Sequence, residues 1–243
     1  MQLTLTSRSE KRSALLALLL IAPAPSVGVV VALYGAPGVL GSTLWALAKL
    51  WFLVAPALWY LLKNKQPLSW SPLQHVSVPA VGKTSTGMAA GLLSGLLMAA
   101  GIVVGYLMFG KDQFDPAPMR ELLHTAGLTS PQRYLVMAAY WTLFNSLVEE
   151  YAFRWFLFRQ CEQILLVRRA VLAAALIFMV HHSIALSAYV PWNLNVLGSL
   201  SIAGAGIVWS GLYARYRSIW PGYLSHICAD VAVFAVGYDA LFN

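Results

Sequence analysis

Polar connectors divide the chain into apolar runs, most of them twenty residues or longer. A run of that length, wound as an α-helix, crosses the about 30 Å hydrocarbon core of a bilayer. Lipid offers no partner for backbone N–H and C=O groups, so only helices or closed barrels can span it. These runs are too long and too continuously apolar for barrel strands. The expected fold is therefore all-α, a polytopic membrane helical bundle of about seven transmembrane helices. They lie near 14–35, 41–62, 87–109, 131–163, 170–189, 194–213 and 219–241. Charge content agrees, because only 10% of the residues are charged, against about 25% in soluble domains.

Residues 1–243 read as one membrane domain, with three spans and their connectors over 1–128 and a four-span core over 129–243. In the first run, Ala22-Pro23-Ala24 imitates a signal-peptide cleavage site. The apolar stretch resumes at Val27, so a retained span bent at Pro23 and Pro25 is expected. Lys49 falls inside the second run, and its ammonium is expected to reach a membrane interface while its stem stays in lipid. Gly87, Gly91, Gly95, Gly101 and Gly105 recur along the third run, and Gly198, Gly204 and Gly206 lie in the sixth. Small residues at such intervals let helices approach closely. A polar connector over 63–85 carries Lys63, Lys65, Lys83, Pro67, Pro72 and Pro79; a second, over 110–129, includes Asp112. A short interfacial helix is expected at 119–126. Thr129-Ser130-Pro131 reads as a helix start, with hydroxyl caps before a first-turn proline.

The formal charge of +7 would suggest nucleic acid in a soluble protein. Here the basic residues cluster at span ends in alternate connectors: Arg8, Lys11 and Arg12; Lys63, Lys65 and Lys83; Arg159, Arg168 and Arg169; Arg215 and Arg217. That pattern sets topology, with the N-terminus inside and the C-terminus outside. No nucleic-acid partner is expected. Cys161 and Cys228 are far apart in sequence, and neither a disulfide nor a metal cluster is expected from two cysteines.

Polar residues inside the spans are the exceptions that call for a reason. A charge at mid-bilayer costs about 2.5–3.5 kcal/mol on insertion scales and by default marks function. Glu149, Glu150 and Arg154 lie in the fourth run, His181 and His182 in the fifth, His226 and Asp230 in the seventh. Adjacent helical residues point about 100° apart, so the two glutamates serve different ends. Glu150 and Arg154 are four apart with the acid first, the favourable order for an ion pair that fixes the helix. Glu149 is left to face a cavity. Phe178 and His182 share one face of their span, as do His226 and Asp230 of theirs. His181 points elsewhere and is expected either to support the site from behind its first residues or to be structural. For one shared site in the cytoplasmic half, the fifth span must tilt or be offset.

EEYAFR (149–154) fits E-E-x-x-x-R, FMVHH (178–182) fits F-x-x-x-H, and HICAD (226–230) fits H-x-x-x-N/D. In this order, on successive membrane helices, the motifs resemble the CAAX protease and bacteriocin-processing family (CPBP, or Abi). Its eukaryotic branch includes the Ras-converting CAAX endopeptidase. The resemblance covers about 130–240 and implies an intramembrane glutamate-dependent endopeptidase. By that resemblance Glu149 is the general base, His182 helps hold and activate the attacking water, and His226 with residue 230 stabilises the oxyanion. Glu150, Arg154 and Phe178 support them. The position matching 230 is commonly Asn in the best-studied branch of that family. An ionised Asp cannot donate to an oxyanion, so Asp230 is either protonated or, the preferred reading, orients His226 and favours its charged, donating form.

No cofactor is expected. The rival mechanism is a zinc protease: no H-E-x-x-H occurs, yet glutamate and histidines are zinc ligand types. A transporter or proton relay also uses such residues, although no inverted repeat is visible. A non-proteolytic immunity protein is a further alternative, opposed by the intact motifs. The expected partners are the lipid bilayer and a membrane-associated protein or peptide substrate. A lipidated C-terminus, a bacteriocin leader and a membrane-spanning sorting tail all suit the sequence. The expected location is a bacterial cytoplasmic membrane.

Overall fold

The computed structural model describes residues 7–35, 38–63, 83–111 and 113–243, which are helical almost throughout, with no strand among them. In chain order the elements are α1 (Arg8–Gly35), α2 (Val39–Lys63), α3 (Ser85–Gly110), α4 (Ala117–Thr125), α5 (131–164), α6 (Val167–Leu186), α7 (Trp192–Tyr216) and α8 (Trp220–Phe242). Six of these, α1, α2, α3, α6, α7 and α8, are long and apolar enough to cross a membrane. The sequence count was about seven, and the difference is α5. It is helical without a break from Pro131 to Ile164, but Glu149, Glu150 and Arg154 interrupt its apolar character. Most of the expected 63–85 connector, with Lys65, Pro67, Pro72 and Pro79, lies outside the described residues, as does Asp112.

Local chemistry explains where these helices begin and bend. The hydroxyl of Ser130 accepts from the Arg133 backbone N–H at 3.3 Å, and Pro131 takes the first helical position, where its missing N–H is harmless. α1 breaks at Ala22-Pro23 and resumes at Ala24, as two nearby prolines require. The short helix expected at 119–126 is α4, Ala117–Thr125. α5 is wound as α-helix to Tyr140, as π-helix over Trp141–Asn145, as α-helix over Ser146–Glu149, as π-helix again over Glu150–Phe158, then as α-helix to Ile164. Such wide turns are frequent at functional sites.

α5 is the axis of the bundle. Residues 152–158 are all buried, and all but Arg154 form one apolar cluster with Ala17 and Ile21 of α1, Phe52, Ala55 and Tyr60 of α2, Phe178 of α6, and Trp209 and Tyr213 of α7. The surrounding helices turn their large apolar side chains outward: Leu19 is 70% exposed, Leu97 66% and Leu200 66%. In water such a surface would drive aggregation, and in lipid it costs nothing. The chain is an integral membrane protein.

α8 lies against α3. A Cβ on Gly91 would collide with the Pro221 carbonyl, and one on Gly95 would come within 2.8 Å of the Ser225 Cα and the Cys228 Cβ. Gly101 and Gly105 face open space, so of the expected series only Gly87, Gly91 and Gly95 lie at close contacts, while the helix contact itself continues to Tyr106, whose hydroxyl donates to Asp239 of α8 at 3.2 Å. The small-residue face of α7 is likewise partial: Gly206 meets Ala175 and Gly198 meets Leu186, while Gly204 meets nothing. At the α7–α8 corner Arg217 adopts the left-handed conformation (φ 51°). Its buried guanidinium holds both oxygens of Glu162, at 2.6 and 2.8 Å, tying the end of α5 to that corner. Both cysteines are free.

Candidate active site

The motif residues of α5, α6 and α8 converge at mid-bundle. Glu149, 7% exposed, is the centre. One ligand atom from each of Glu149, His181 and His182 lies within 4.8 Å of the others, and Glu149 Oε2 is 3.7 Å from His226 Nε2. The offset anticipated for α6 is therefore accommodated. His181 does not point away as expected; its ring sits 3.9 Å from that of His182, centroid to centroid, and stacks on Phe153.

Hydrogen-bond chemistry fixes what each ring offers. His182 Nδ1 is 3.0 Å from the Phe178 carbonyl oxygen. A carbonyl only accepts, so Nδ1 carries the proton and, in the neutral ring, Nε2 presents a lone pair. His226 Nδ1 lies 3.1 Å from Glu150 Oε1, and its ring is stacked on the Trp209 indole at 3.9 Å. Its other nitrogen, Nε2, has Asp230 Oδ1 and Glu149 Oε2 each at 3.7 Å. The nearest carboxylate to the ring, and the one on Nδ1, is thus Glu150, where the sequence suggested Asp230. The outer oxygen of Asp230 accepts from the Ser146 hydroxyl at 2.5 Å.

Glu150 and Arg154 do form the expected pair, at 3.4 Å, with both side chains essentially inaccessible. The Arg154 guanidinium lies over Phe178 at 4.5 Å and Trp209 at 5.0 Å, a cation–π enclosure that stands in for water around a buried charge. Phe178 joins these parts, packing edge-on against Phe153, Trp209 and His226. Gly222, one turn before His226, makes room for Glu150: a Cβ there would lie 2.5 Å from Glu150 Oε2.

Four contributors went unrecognised in the sequence. Asn145 donates from Nδ2 to Glu149 Oε1 at 2.8 Å; its place four residues before Glu149 was the available signal. Ser146 stands in the same relation to Glu150. Lys49 does not reach outward to an interface as expected; its ammonium turns inward and donates to Asn145 Oδ1 at 2.6 Å. Trp209 carries no motif, and nothing in its spacing marks it.

This arrangement can bind and polarise water. Glu149 and His182 Nε2 are neighbouring acceptors, and His226 is a separate ring with carboxylates on both nitrogens. Residues 131–232 match the Rce1-like family model, described as type II CAAX prenyl endopeptidase Rce1-like. The segment contains all three motifs, and the family resemblance read from them is borne out there. The match supports a protease of the CAAX type. No curated protein and no solved structure matches the chain.

Proposed function

We propose that the chain is an intramembrane endopeptidase in which Glu149 acts as general base on water. The observation that carries this reading is Glu149 itself, a buried carboxylate ringed by histidines from two other helices. A water between Glu149 and His182 Nε2 gives one proton to each acceptor, which turns its lone pair toward a scissile carbonyl. Glu149 takes the proton as the water attacks and returns it to the leaving amine. His226, with carboxylates at both ring nitrogens, suits the doubly protonated form, whose Nε2–H donates to the developing oxyanion. One such donor is typically worth about 2.7–4 kcal/mol in the transition state. Glu150 holds Nδ1, Trp209 holds the ring plane, and Arg154 offsets the charge of Glu150. Asp230 lies on the oxyanion side with one oxygen engaged by Ser146.

The substrate class this reading favours is a membrane-associated peptide with a prenylated cysteine near its C-terminus, the substrate type named by the matched family. The site is proposed to lie in the cytoplasmic half of a bacterial inner membrane, on the strength of the basic connectors. The test uses purified protein in liposomes and an internally quenched peptide with a farnesylated cysteine followed by three residues. Mass spectrometry of the products locates the broken bond. Cleavage is expected, with Glu149→Ala and His226→Ala inactive and Asp230→Asn active, since an amide can still accept from Ser146 and can donate to the oxyanion. Cleavage by Glu149→Ala would overturn the reading.

A metal-dependent version of the same protease has one observation in its favour, the Glu149, His181 and His182 group. The donor types suit zinc, but a tetrahedral ion holds its ligand atoms about 3.4 Å apart, from metal–ligand distances of about 2.0–2.1 Å. The three ligand atoms here lie within 4.8 Å of one another. Activity that survives strong chelation, in protein free of zinc by elemental analysis, separates the two mechanisms.

A further inference from the structure

A lysine ammonium inside a span is costly, and the usual escape is to extend toward the headgroups. Lys49 does the opposite. Its Nζ lies 4.4 Å from the centre of the Trp141 ring and 5.4 Å from that of Trp45, and it donates to Asn145 Oδ1 at 2.6 Å. Asn145 in turn donates from Nδ2 to Glu149 Oε1 at 2.8 Å.

The direction of this chain is set by chemistry. An ammonium has donors and no acceptor, so it can meet only the oxygen of the Asn145 amide. The amide nitrogen must then face Glu149. Without the ammonium nothing holds the amide oxygen, and the Asn145 side chain is free to swing away from the carboxylate. With it, one oxygen of Glu149 is held and the other is left toward His226 Nε2, at 3.7 Å. Lys49 also brings a positive charge to within one side chain of the carboxylate.

We infer that Lys49 is a positioning residue for Glu149, acting through Asn145. It comes from α2, outside the segment 131–232 that matches the protease family, so the N-terminal helices complete the site as well as bury it. The inference rests on Glu149 being the base.

The same farnesylated, internally quenched peptide in proteoliposomes tests it. Lys49→Met keeps an unbranched side chain one atom shorter and removes its donors. Its kcat is expected to fall about 10- to 100-fold, the range a hydrogen bond to a charged group is worth, with KM within about twofold. Lys49→Arg, still a cationic donor, is expected to recover most of the rate. Asn145→Leu is expected to match Lys49→Met, and the double variant to be no slower than either, because both break one chain of contacts. If Lys49→Met does not accumulate, Lys49→Gln and Asn145→Leu carry the comparison.

An unchanged kcat in Lys49→Met, or losses that multiply in the double variant, overturns the inference while the peptidase reading stands. A wild-type protein that leaves the peptide intact overturns the peptidase reading and this inference with it.

Discussion

At the scale of single residues, the two adjacent glutamates have opposite surroundings. Glu149 has one oxygen 3.7 Å from His226 Nε2 and the other on the Asn145 amide, while Glu150 is closed in by His226, Arg154 and Gly222. A buried carboxylate that loses a partner keeps its desolvation cost, so Glu150 is sensitive to small changes around it. Gly222→Ala drives a methyl group into Glu150 Oε2. The carboxylate must move, and His226 Nδ1 loses its acceptor. Overpacking of this kind costs about 1–3 kcal/mol, so a lower melting temperature in detergent and a clear fall in peptide cleavage are expected together. Glu150→Gln at the same place keeps the shape and removes the charge. It is expected to retain the fold while slowing cleavage, because an amide no longer favours a doubly protonated His226. Rates near wild type for Glu150→Gln would sink this assignment.

At the scale of elements, the contact between α3 and α8 sets the height of His226. Ser225 sits against Gly95, accepts from the Trp209 indole N–H at 3.0 Å and from the Ser94 hydroxyl at 3.1 Å, and immediately precedes His226. Gly95→Ala is therefore expected to lower the melting temperature by several degrees, from about 1–3 kcal/mol of overpacking, and to slow cleavage. Gly101→Ala, with open space before it, is expected to leave both unchanged. Differential scanning fluorimetry with the peptide assay distinguishes the two. The glycine series was legible in the sequence as a repeat, but which of its members face the partner helix was not, since Gly101 and Gly105 point away while Tyr106 still reaches Asp239. The same division holds at the site. Glu149, His182, His226 and Asp230 were legible because each sits in a motif with helical spacing. Lys49 and Trp209 stand alone on their helices, and only the packing of α2 and α7 against α5 gives them roles. The neighbour of His226 was misassigned for a related reason. Spacing within one helix favours Asp230, whereas contact across helices favours Glu150.

At the scale of the whole molecule, the bundle joins what the sequence divided. We propose 129–243 as the catalytic core and 1–128 as its support, and the contacts of Lys49, Phe52 and Tyr60 with α5 support an intimate union. The number of crossings has a testable parity. If α5 crosses with the six apolar helices, the termini lie on opposite sides; if it does not, they lie on the same side. The basic connectors favour opposite sides, with the N-terminus in the cytoplasm. Alkaline phosphatase fused after Asn243 is then expected to be active and a fluorescent protein in that position dark. The reverse pattern would remove α5 from the crossing helices.

The π-wound stretch Glu150–Phe158 bears on how such a chain tolerates change over evolutionary time. A π-turn closes its hydrogen bonds over five residues where an α-turn uses four, so this stretch holds more residues than an α-helix of equal height. Deleting one residue among 155–158 rewinds it toward α-geometry. Glu149, Glu150 and Arg154 keep their identities while everything after the deletion turns about the axis, carrying Glu162 away from Arg217. In this segment residue number is under constraint as well as residue type, and descendants that drift freely in composition there are expected to align without gaps.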